Sequence, residues 1–467
     1  MSRIWITLLA SGLTAFAVAC GGSDEPTATP TAVVELTSTV APTATATATA
    51  SNGNGGLAPD AVFAAVSPGI AFVETPTGTG SSILLDERRL ITNSHVVWPF
   101  ESVRVVFPDG TEFPDAPVVA WDLMTDLAII ELPAGHGIAP LTFGDPRSFP
   151  VGTELFLIGY PAETERFPQP TVSRGVLSRF REWEQAAVTY VQTDASITGG
   201  QSGGALVSSA GEVVGLSGFS FGDQAFGLAL SGPDVQSRIE LLSAGGGDDT
   251  LSDRGVPTSG TLSTVELTLE NYYDERGFVI PETSGPVSIS VTSESDIFFA
   301  VTDAWGDTIY EVDDGLTGEE FGTVDTDFGA PFVVRVGQFD LAPTSVVIES
   351  SSPLATLVDP DDTRLLQRGQ TYVGNMDYAG DLDYYEIDLT EGETVSILVD
   401  SVMFDPEIYV DLADNPGAEL GHDDDSGGGP FGLSSLIEFT APKTARYLVN
   451  VNDVYRLETG AYYLVVE

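Results

Sequence analysis

The sequence predicts an all-β protein built from several domains. Between Ala58 and about Leu242, short apolar runs such as GIAFVE, RLITN, LAIIEL and ELFLIGY alternate with turns, and helical periodicity first appears near residues 233–242. The 50 glycines and 29 prolines among 467 residues supply turns between such runs. Many short strands separated by glycine-rich turns are typical of antiparallel barrels or sandwiches. A chain of this length also has room for about three domains.

Charge and cysteine content exclude several classes of protein. Lys and Arg total 18 against 69 Asp and Glu, which gives a net charge of −51. Because nucleic acids and anionic lipid surfaces would repel such a chain, neither is an expected partner. Cys20 is the single cysteine, so an intramolecular disulfide is excluded.

The N-terminus indicates export and lipid attachment. Residues 1–19 have one early Arg3 and an apolar run too short to span a bilayer comfortably, and small residues lead into Cys20. This pattern resembles the lipobox of bacterial lipoproteins, which implies cleavage before Cys20 and a lipid on its sulfur. An ordinary signal peptide with an incidental cysteine is the alternative. Residues 20–57 are rich in Thr, Pro and Ala, and we expect an unfolded tether. The expected location is the cell envelope, lipid-anchored to the membrane and facing outside the cytoplasm.

The stretch TDASITGGQSGG (193–204) places Ser202 between two pairs of glycines. Taken alone, it could be a flexible surface loop. However, His95 ends one apolar strand and Asp126 begins another, and serine catalysis requires an imidazole base oriented by a carboxylate. The order His, Asp, Ser is one of the few known triad orders. We therefore predict His95, Asp126 and Ser202 as a catalytic triad, and we expect His136, on a turn, to be solvated.

Successive motifs carry a specific family resemblance. VSPGIAFV, LITNSHVV, DLMTDLAII, GTELFLIGYP, SRGVLS and VQTDASITGGQSGGALV resemble, in order, the motifs of the HtrA/DegP family of trypsin-like serine proteases over roughly residues 60–242. The resemblance implies a double β-barrel over 58–242, an acyl-enzyme on Ser202, and an oxyanion hole formed by the N–H groups of Gly200 and Ser202. The family's loop usually reads NPGNSGG, so Gly199 and Gln201 depart from it. We find no PDZ-like loop downstream.

The same resemblance locates the substrate pocket. Its walls are expected from residues 195–198, 216–220 and 226–228, which carry no charged residue. An apolar substrate side chain is therefore expected before the cleaved bond, in a pocket narrowed by Phe219. Asp194 lies two residues outside the position of the aspartate that selects basic side chains in trypsin-like enzymes, and we assign it no such role.

The C-terminal half is predicted to hold two small β-sandwiches. A Gly/Asp/Ser-rich linker (243–260) precedes an internal repeat over 261–352 and 353–467. Alternating apolar residues such as Val395, Ile397 and Val399 indicate half-buried strands. The second copy resembles bacterial pre-peptidase C-terminal domains, and the first is more diverged. We expect both to serve localisation or substrate capture, which would leave residues 58–242 self-contained.

These observations predict a surface-anchored serine endopeptidase acting on protein or peptide substrates without a cofactor. The alternative is a non-catalytic cell-surface binding protein with a vestigial protease fold. Asp381, Asp383 and residues 423–425 form oxygen-rich loops that suit Ca²⁺. Solvated turn aspartates on an acidic protein are the favoured explanation, so no metal site is predicted. The sequence does not specify an oligomeric state.

Overall fold

The computed structural model describes residues 56–467, except for 77, 99, 163–165, 222–225, 245–261, 273, 281–284, 303–307, 314–317, 325–331, 341, 358–363 and 430. Cys20, the predicted signal segment, nearly all of the tether and nearly all of the linker lie outside the described residues. Within the described part, no helix is both long and apolar enough to cross a membrane.

The first domain begins with a closed antiparallel barrel. Its strands pair in the order β1-β2-β3-β6-β5-β4, and β1 also pairs with β4 to close the ring. Apolar, often β-branched side chains such as Val73, Leu90 and Ile130 fill its interior. The strands are β1 (Ile70–Glu74), β2 (Thr79–Leu84), β3 (Arg89–Thr92), β4 (Ser102–Val106), β5 (Glu112–Asp122) and β6 (Leu127–Glu131).

A second closed barrel follows directly. Its strands pair in the order β10-β11-β12-β9-β8-β7, and β7 pairs with β10 to close it. The strands are β7 (Glu154–Gly159), β8 (Thr171–Trp183), β9 (Val188–Thr193), β10 (Ala205–Ser208), β11 (Val213–Phe221) and β12 (Phe226–Ser231). The predicted double β-barrel is thus confirmed.

Three short helices accompany the barrels in the described residues: α1 (Pro59–Val66), α2 (Ser94–Val97) and α3 (Gly232–Ser243). Helix α3 matches the periodicity predicted near 233–242. The side chain of Ser231 accepts a hydrogen bond from the N–H of Asp234, which satisfies one of the unpaired donors at the start of α3. Helix α2 is a single turn and carries His95.

The first sandwich has two layers joined by one long strand. β20 pairs with β13 and β15 along its first part and with β14 near its end, so it belongs to both layers. β20 also continues to Thr356, past the predicted boundary at 352. The strands are β13 (Leu262–Leu269), β14 (Arg276–Ile280), β15 (Val287–Ser293), β16 (Ile297–Thr302), β17 (Thr308–Val312), β18 (Gly318–Val324), β19 (Phe332–Gln338) and β20 (Thr344–Thr356).

The second sandwich packs a sheet of order β21-β23-β28-β25-β26 on a sheet of order β22-β29-β24-β27. Val395, Ile397 and Val399 are all buried in its core, as the alternation predicts. The strands are β21 (Arg364–Leu365), β22 (Gln370–Met376), β23 (Leu382–Leu389), β24 (Thr394–Ser401), β25 (Pro406–Leu412), β26 (Gly421–Asp423), β27 (Ser435–Thr440), β28 (Ala445–Asp453) and β29 (Gly460–Val466).

The second sandwich also packs on the barrels. Val402, Phe431 and Ala461 belong to one buried apolar cluster with Trp183 and Tyr190 of the second barrel. An isolated barrel domain would expose those two aromatic rings to water. The packing therefore does not support the expectation that residues 58–242 are self-contained.

Candidate active site

The candidate site lies where the two barrels meet, and Ser81 of β2 joins them. Its N–H donates to the carbonyl of Ser202 at 2.8 Å, and its hydroxyl donates to the carbonyl of Gly200 at 2.9 Å. Gly203 has a φ of 80°, and a Cβ at that position would lie 2.0 Å from the Ser81 carbonyl oxygen. The glycine after Ser202 is therefore required for the close approach of the two barrels.

The structure brings His95 and Asp126 together at this junction. Asp126 is fully buried, and its carboxylate accepts from Ser94 Oγ at 2.9 Å, from the N–H of His95 at 3.0 Å and from His95 Nδ1 at 2.8 Å. The side-chain amide of Asn93 donates to the Asp126 carbonyl. Because the carboxylate accepts the Nδ1 proton, the neutral imidazole carries its lone pair on Nε2. Asp126 has a φ of 56°, an uncommon backbone conformation that this hydrogen-bond network supports.

Two carboxylates control the protonation of His95. Partial desolvation lowers the pKa of His95, although 36% of the side chain remains exposed. The charges of Asp126 and Glu458 and the hydrogen bond that His95 donates to Asp126 outweigh that effect, so the pKa of His95 is raised above its ordinary value of 6.5. Glu458 belongs to the second sandwich, so this domain contributes to the electrostatics of the site.

Ser202 lies at the same junction, where its carbonyl accepts the N–H of Ser81. Its hydroxyl donates to the carbonyl of Gly218 at 3.2 Å, rather than to the imidazole of His95. Hydrogen bonds between a nucleophile and its base are commonly long in structures without substrate. Among the described residues, neither the N–H of Gly200 nor that of Ser202 donates to another protein group. Gly200 has a φ of 85°, and a Cβ there would lie 2.5 Å from the N–H nitrogen of Ala162. Only glycine fits this position.

Gln201 is a residue of the site that sequence reasoning underestimated. It is 3% exposed, and its side-chain oxygen accepts from the N–H of Thr198 at 2.9 Å and the Thr198 hydroxyl at 3.2 Å. Its amide nitrogen donates to Thr171 Oγ1 at 3.3 Å. These contacts hold the loop that contains Gly200 and Ser202. In the sequence, Gln201 stands where the resembled family usually has asparagine. That difference alone does not show which hydrogen bonds the glutamine side chain makes.

Of the segments predicted as pocket walls, 216–220 reaches Ser202 through the Gly218 carbonyl, and 195–198 and 226–228 contact each other. Gly227 is in contact with Ile197, since a Cβ on Gly227 would lie 2.2 Å from Ile197 Cδ1. The Phe219 ring lies 6.2 Å from the His95 ring. Asp194 instead accepts from the N–H of Val176 at 2.7 Å and is exposed, which agrees with leaving it out of the pocket.

The other two histidines lie outside this group. His136 is half-buried, its ring stacks on Phe107 at 6.1 Å, and its Nε2 bonds to the Glu87 carbonyl at 2.8 Å. The expectation that His136 is merely solvated is therefore wrong, because the adjacent aromatic rings of the barrel hold it. His422 stacks on Tyr409 and bonds to a glutamate of its own domain.

Three of the five aspartates considered for Ca²⁺ accept hydrogen bonds within the second sandwich. Asp423 accepts from two backbone N–H groups, and so does Asp381. Asp383 accepts from the hydroxyl of Tyr462. Across the part of the chain that is described, no group of three His, Cys, Asp or Glu side chains has the arrangement to hold a metal ion.

Comparison with known proteins agrees with this geometry. Residues 78–216 match the family model described as a trypsin-like peptidase domain. The chain carries a trypsin-like peptidase domain. The matched segment contains His95, Asp126 and Ser202, and it ends in β11.

Curated relatives of this peptidase domain include HtrA and DegS proteases. The chain is 30% identical over 187 residues to "Serine protease Do-like HtrA" of Bacillus subtilis, covering 37% of this chain and 41% of the relative. It is 34% identical over 146 residues to "Serine endoprotease DegS" of Salmonella typhimurium, covering 30% and 40%. The chain thus spans about two-fifths of the length of these relatives. Among solved structures, the serine endoprotease from Yersinia pestis is 27% identical, with coverage of 40% of this chain and 67% of that chain and a TM-score of 0.35.

Proposed function

We propose that this protein is a serine endopeptidase that hydrolyses peptide bonds through an acyl-enzyme on Ser202. The observation that carries the proposal is the convergence of three groups at the barrel junction. His95 is oriented by the buried carboxylate of Asp126 at 2.8 Å. Ser202 lies in a loop whose N–H groups at Gly200 and Ser202 are available to an incoming oxygen.

In this mechanism Ser202 Oγ attacks the carbonyl carbon of the substrate while its proton passes to His95 Nε2. The N–H groups of Gly200 and Ser202 stabilise the oxyanion, and such donors typically contribute about 2.7–4 kcal/mol each. His95 then gives the proton to the leaving amine as the C–N bond breaks. Water attacks the resulting ester with His95 as base, which releases the acid and restores Ser202. Asp126 keeps its hydrogen bond with His95 Nδ1 and stabilises the imidazolium.

The substrate is a protein or peptide with an apolar side chain before the cleaved bond. Gly227 contacts Ile197 in the segments expected to form the pocket walls, and the neighbouring carboxylate of Asp194 accepts the N–H of Val176 at 2.7 Å. A pocket with apolar walls rejects Lys and Arg because a buried cation would lack a partner. The protein groups in these steps carry out the chemistry without a cofactor.

The protein is further proposed to act at the cell envelope, anchored by lipid on Cys20 and facing outside the cytoplasm. The support is the lipobox-like sequence, in a segment outside the described residues. A net charge of −51 opposes attachment to anionic lipid by electrostatics, so a covalent lipid is the fitting anchor.

The experiment that tests the activity is hydrolysis of casein and of an apolar peptide by the ectodomain and its variants. Ser202→Ala is expected to lower turnover by about 10⁶-fold with an unchanged melting temperature. His95→Ala should behave alike, and Asp126→Asn should lose somewhat less. Activity of Ser202→Ala within tenfold of the wild type would remove Ser202 from the mechanism.

A further inference from the structure

Phe431 of the second sandwich lies close to the candidate site, in contact with Phe219. It follows the glycine-rich stretch 427–429 between β26 and β27 and is 6% exposed. Its ring packs edge-on against Phe219 at 5.3 Å and against Tyr190 at 5.2 Å, and Tyr190 and Phe219 are 6.3 Å apart. Three aromatic rings from two domains thus form one packed cluster.

Phe219 in turn faces the reacting groups. It follows Gly218, whose carbonyl oxygen lies 3.2 Å from Ser202 Oγ. That oxygen is placed to accept the N–H of the substrate residue whose carbonyl Ser202 attacks. Phe219 is the next residue of β11, so its ring lies next to the position where this substrate N–H would bind. The ring is also 6.2 Å from the ring of His95.

A second element of the same sandwich reaches His95. The 454–459 loop, between β28 and β29, carries Glu458, whose charge acts on His95. Buried Asp453 fixes this loop by accepting the N–H groups of Leu457 at 2.9 Å and Glu458 at 3.2 Å. The sandwich therefore acts on the surroundings of the site from two positions, through the Phe431 ring, which contacts Phe219, and through the charge of Glu458.

The interface between the second barrel and the second sandwich includes more than the rings of Phe431, Phe219 and Tyr190. The indole of Trp183 donates to Asp400 at 2.7 Å and packs edge-on against Tyr463 at 5.7 Å. Both members of the hydrogen bond are 1% exposed. Because this interface is closely packed and contains a buried hydrogen bond, it keeps the Phe431 ring in contact with Phe219.

We propose that the second sandwich is part of the substrate site and that Phe431 is a positioning residue. Phe431 supports Phe219 from behind and so determines which side chain is accepted on the acyl side of the cleaved bond. The inference rests on the proposed endopeptidase function, and it assigns to the sandwich a role in selectivity that differs from localisation or capture. Removing the Phe431 ring opens space behind Phe219, so that Phe219 can retreat and admit bulkier substrate side chains.

The test measures kcat/KM of the full ectodomain on a peptide series varied at each of the four positions before and two positions after the cleaved bond. For Phe431→Ala, the preference for large over small side chains is expected to rise about tenfold at a position before the bond, as pocket volume changes typically give. Phe431→Leu, which keeps most of the volume, should shift the same ratio about threefold. Positions after the bond should be unaffected.

A matched control is Phe439→Leu, since Phe439 is also 6% exposed and packs edge-on against a tyrosine at 5.2 Å, but within the second sandwich. It should lower stability and leave selectivity unchanged.

Fluorophosphonate labelling of Ser202 gives the active-site concentration of each variant. A labelled Phe431→Leu enzyme with wild-type selectivity at every position overturns the inference. If the wild type neither labels nor hydrolyses any peptide, the proposed function fails, and the inference fails with it.

Discussion

The indole N–H of Trp183 donates to the carboxylate of Asp400 at 2.7 Å, joining the second barrel to the second sandwich. Asp400 also accepts from Ser434 Oγ at 2.6 Å. Burial raises the pKa of Asp400 above its ordinary value of 3.8, and the hydrogen bonds from Ser434 and Trp183 only partly offset that effect. The interface beside the candidate site therefore contains a carboxylate whose ionisation is unfavourable.

Asp400→Asn tests this pairing through the pH dependence of stability. The folded-state pKa of Asp400 lies above its unfolded value, so its contribution to stability is present at low pH and is lost as pH rises through the folded pKa. Asparagine cannot ionise and escapes that loss. The free energy of unfolding of the variant, measured relative to the wild type, should therefore be higher at about pH 7 than at about pH 4. Urea unfolding at both pH values measures the difference, and an equal difference at both would refute the assignment.

Gln201→Ala should disturb the oxyanion loop without removing any reacting group. The side chain of Gln201 accepts two hydrogen bonds from Thr198, which precedes Gly200 by two residues. Misplacing the N–H of Gly200 should lower kcat by about 10²-fold while changing KM little. Thr171→Val removes the 3.3 Å contact with Gln201, together with the hydrogen bond that the Thr171 hydroxyl donates to the Gly159 carbonyl, and keeps both bonds between Gln201 and Thr198. It serves as the control, with a much smaller loss. Equal kinetics for Gln201→Ala and the wild type would show that the loop is held by other means.

Glu458→Gln should shift the acidic limb of the plot of kcat/KM against pH to lower pH. The base form of His95 is required, so kcat/KM rises with pH through the pKa of His95, which lies above 6.5. Asp126 and Glu458 both raise that pKa, and removing the charge of Glu458 should shift the limb to lower pH. Activity on the alkaline plateau should stay close to that of the wild type. A limb that stays in place would mean that the 454–459 loop does not act on His95.

Cys20→Ser should release the protein from the membrane fraction. The tether sequence 20–57 contains no second anchoring motif, and the net charge of −51 opposes adsorption to anionic lipid. Fractionation followed by immunoblotting measures the partition, with Ser202→Ala as a control that stays membrane-bound. Persistent membrane association of Cys20→Ser would contradict lipid attachment at this cysteine.

The double β-barrel could be predicted because successive motifs resemble those of a known family, and the resemblance implies a topology that local strand patterns leave open. His95 and Asp126 each lie in such a motif next to an apolar strand, and the structure pairs them at 2.8 Å. Alternation over 395–399 likewise predicted a half-buried strand, and Val395, Ile397 and Val399 are buried. Period-two patterns report which face of a strand is buried.

The contact between the domains could not be predicted in this way. Trp183 and Asp400 are 217 residues apart in the sequence. The residues around each of them contain no pattern that identifies the other as its partner. Phe431, next to a glycine-rich stretch, is indistinguishable in sequence from an exposed loop aromatic. Long-range packing depends on the shape of two complete surfaces, which short motifs do not encode. The same holds for the contact of His136 with Phe107.

Covalent labelling shows directly whether Ser202 is an activated nucleophile. The purified ectodomain is treated with a fluorophosphonate, and its intact mass and labelled peptide are measured. One adduct per chain is expected, located on Ser202, with no adduct in Ser202→Ala and greatly slowed labelling in His95→Ala. A folded wild-type protein that remains unlabelled, or is labelled elsewhere, would contradict that role for Ser202.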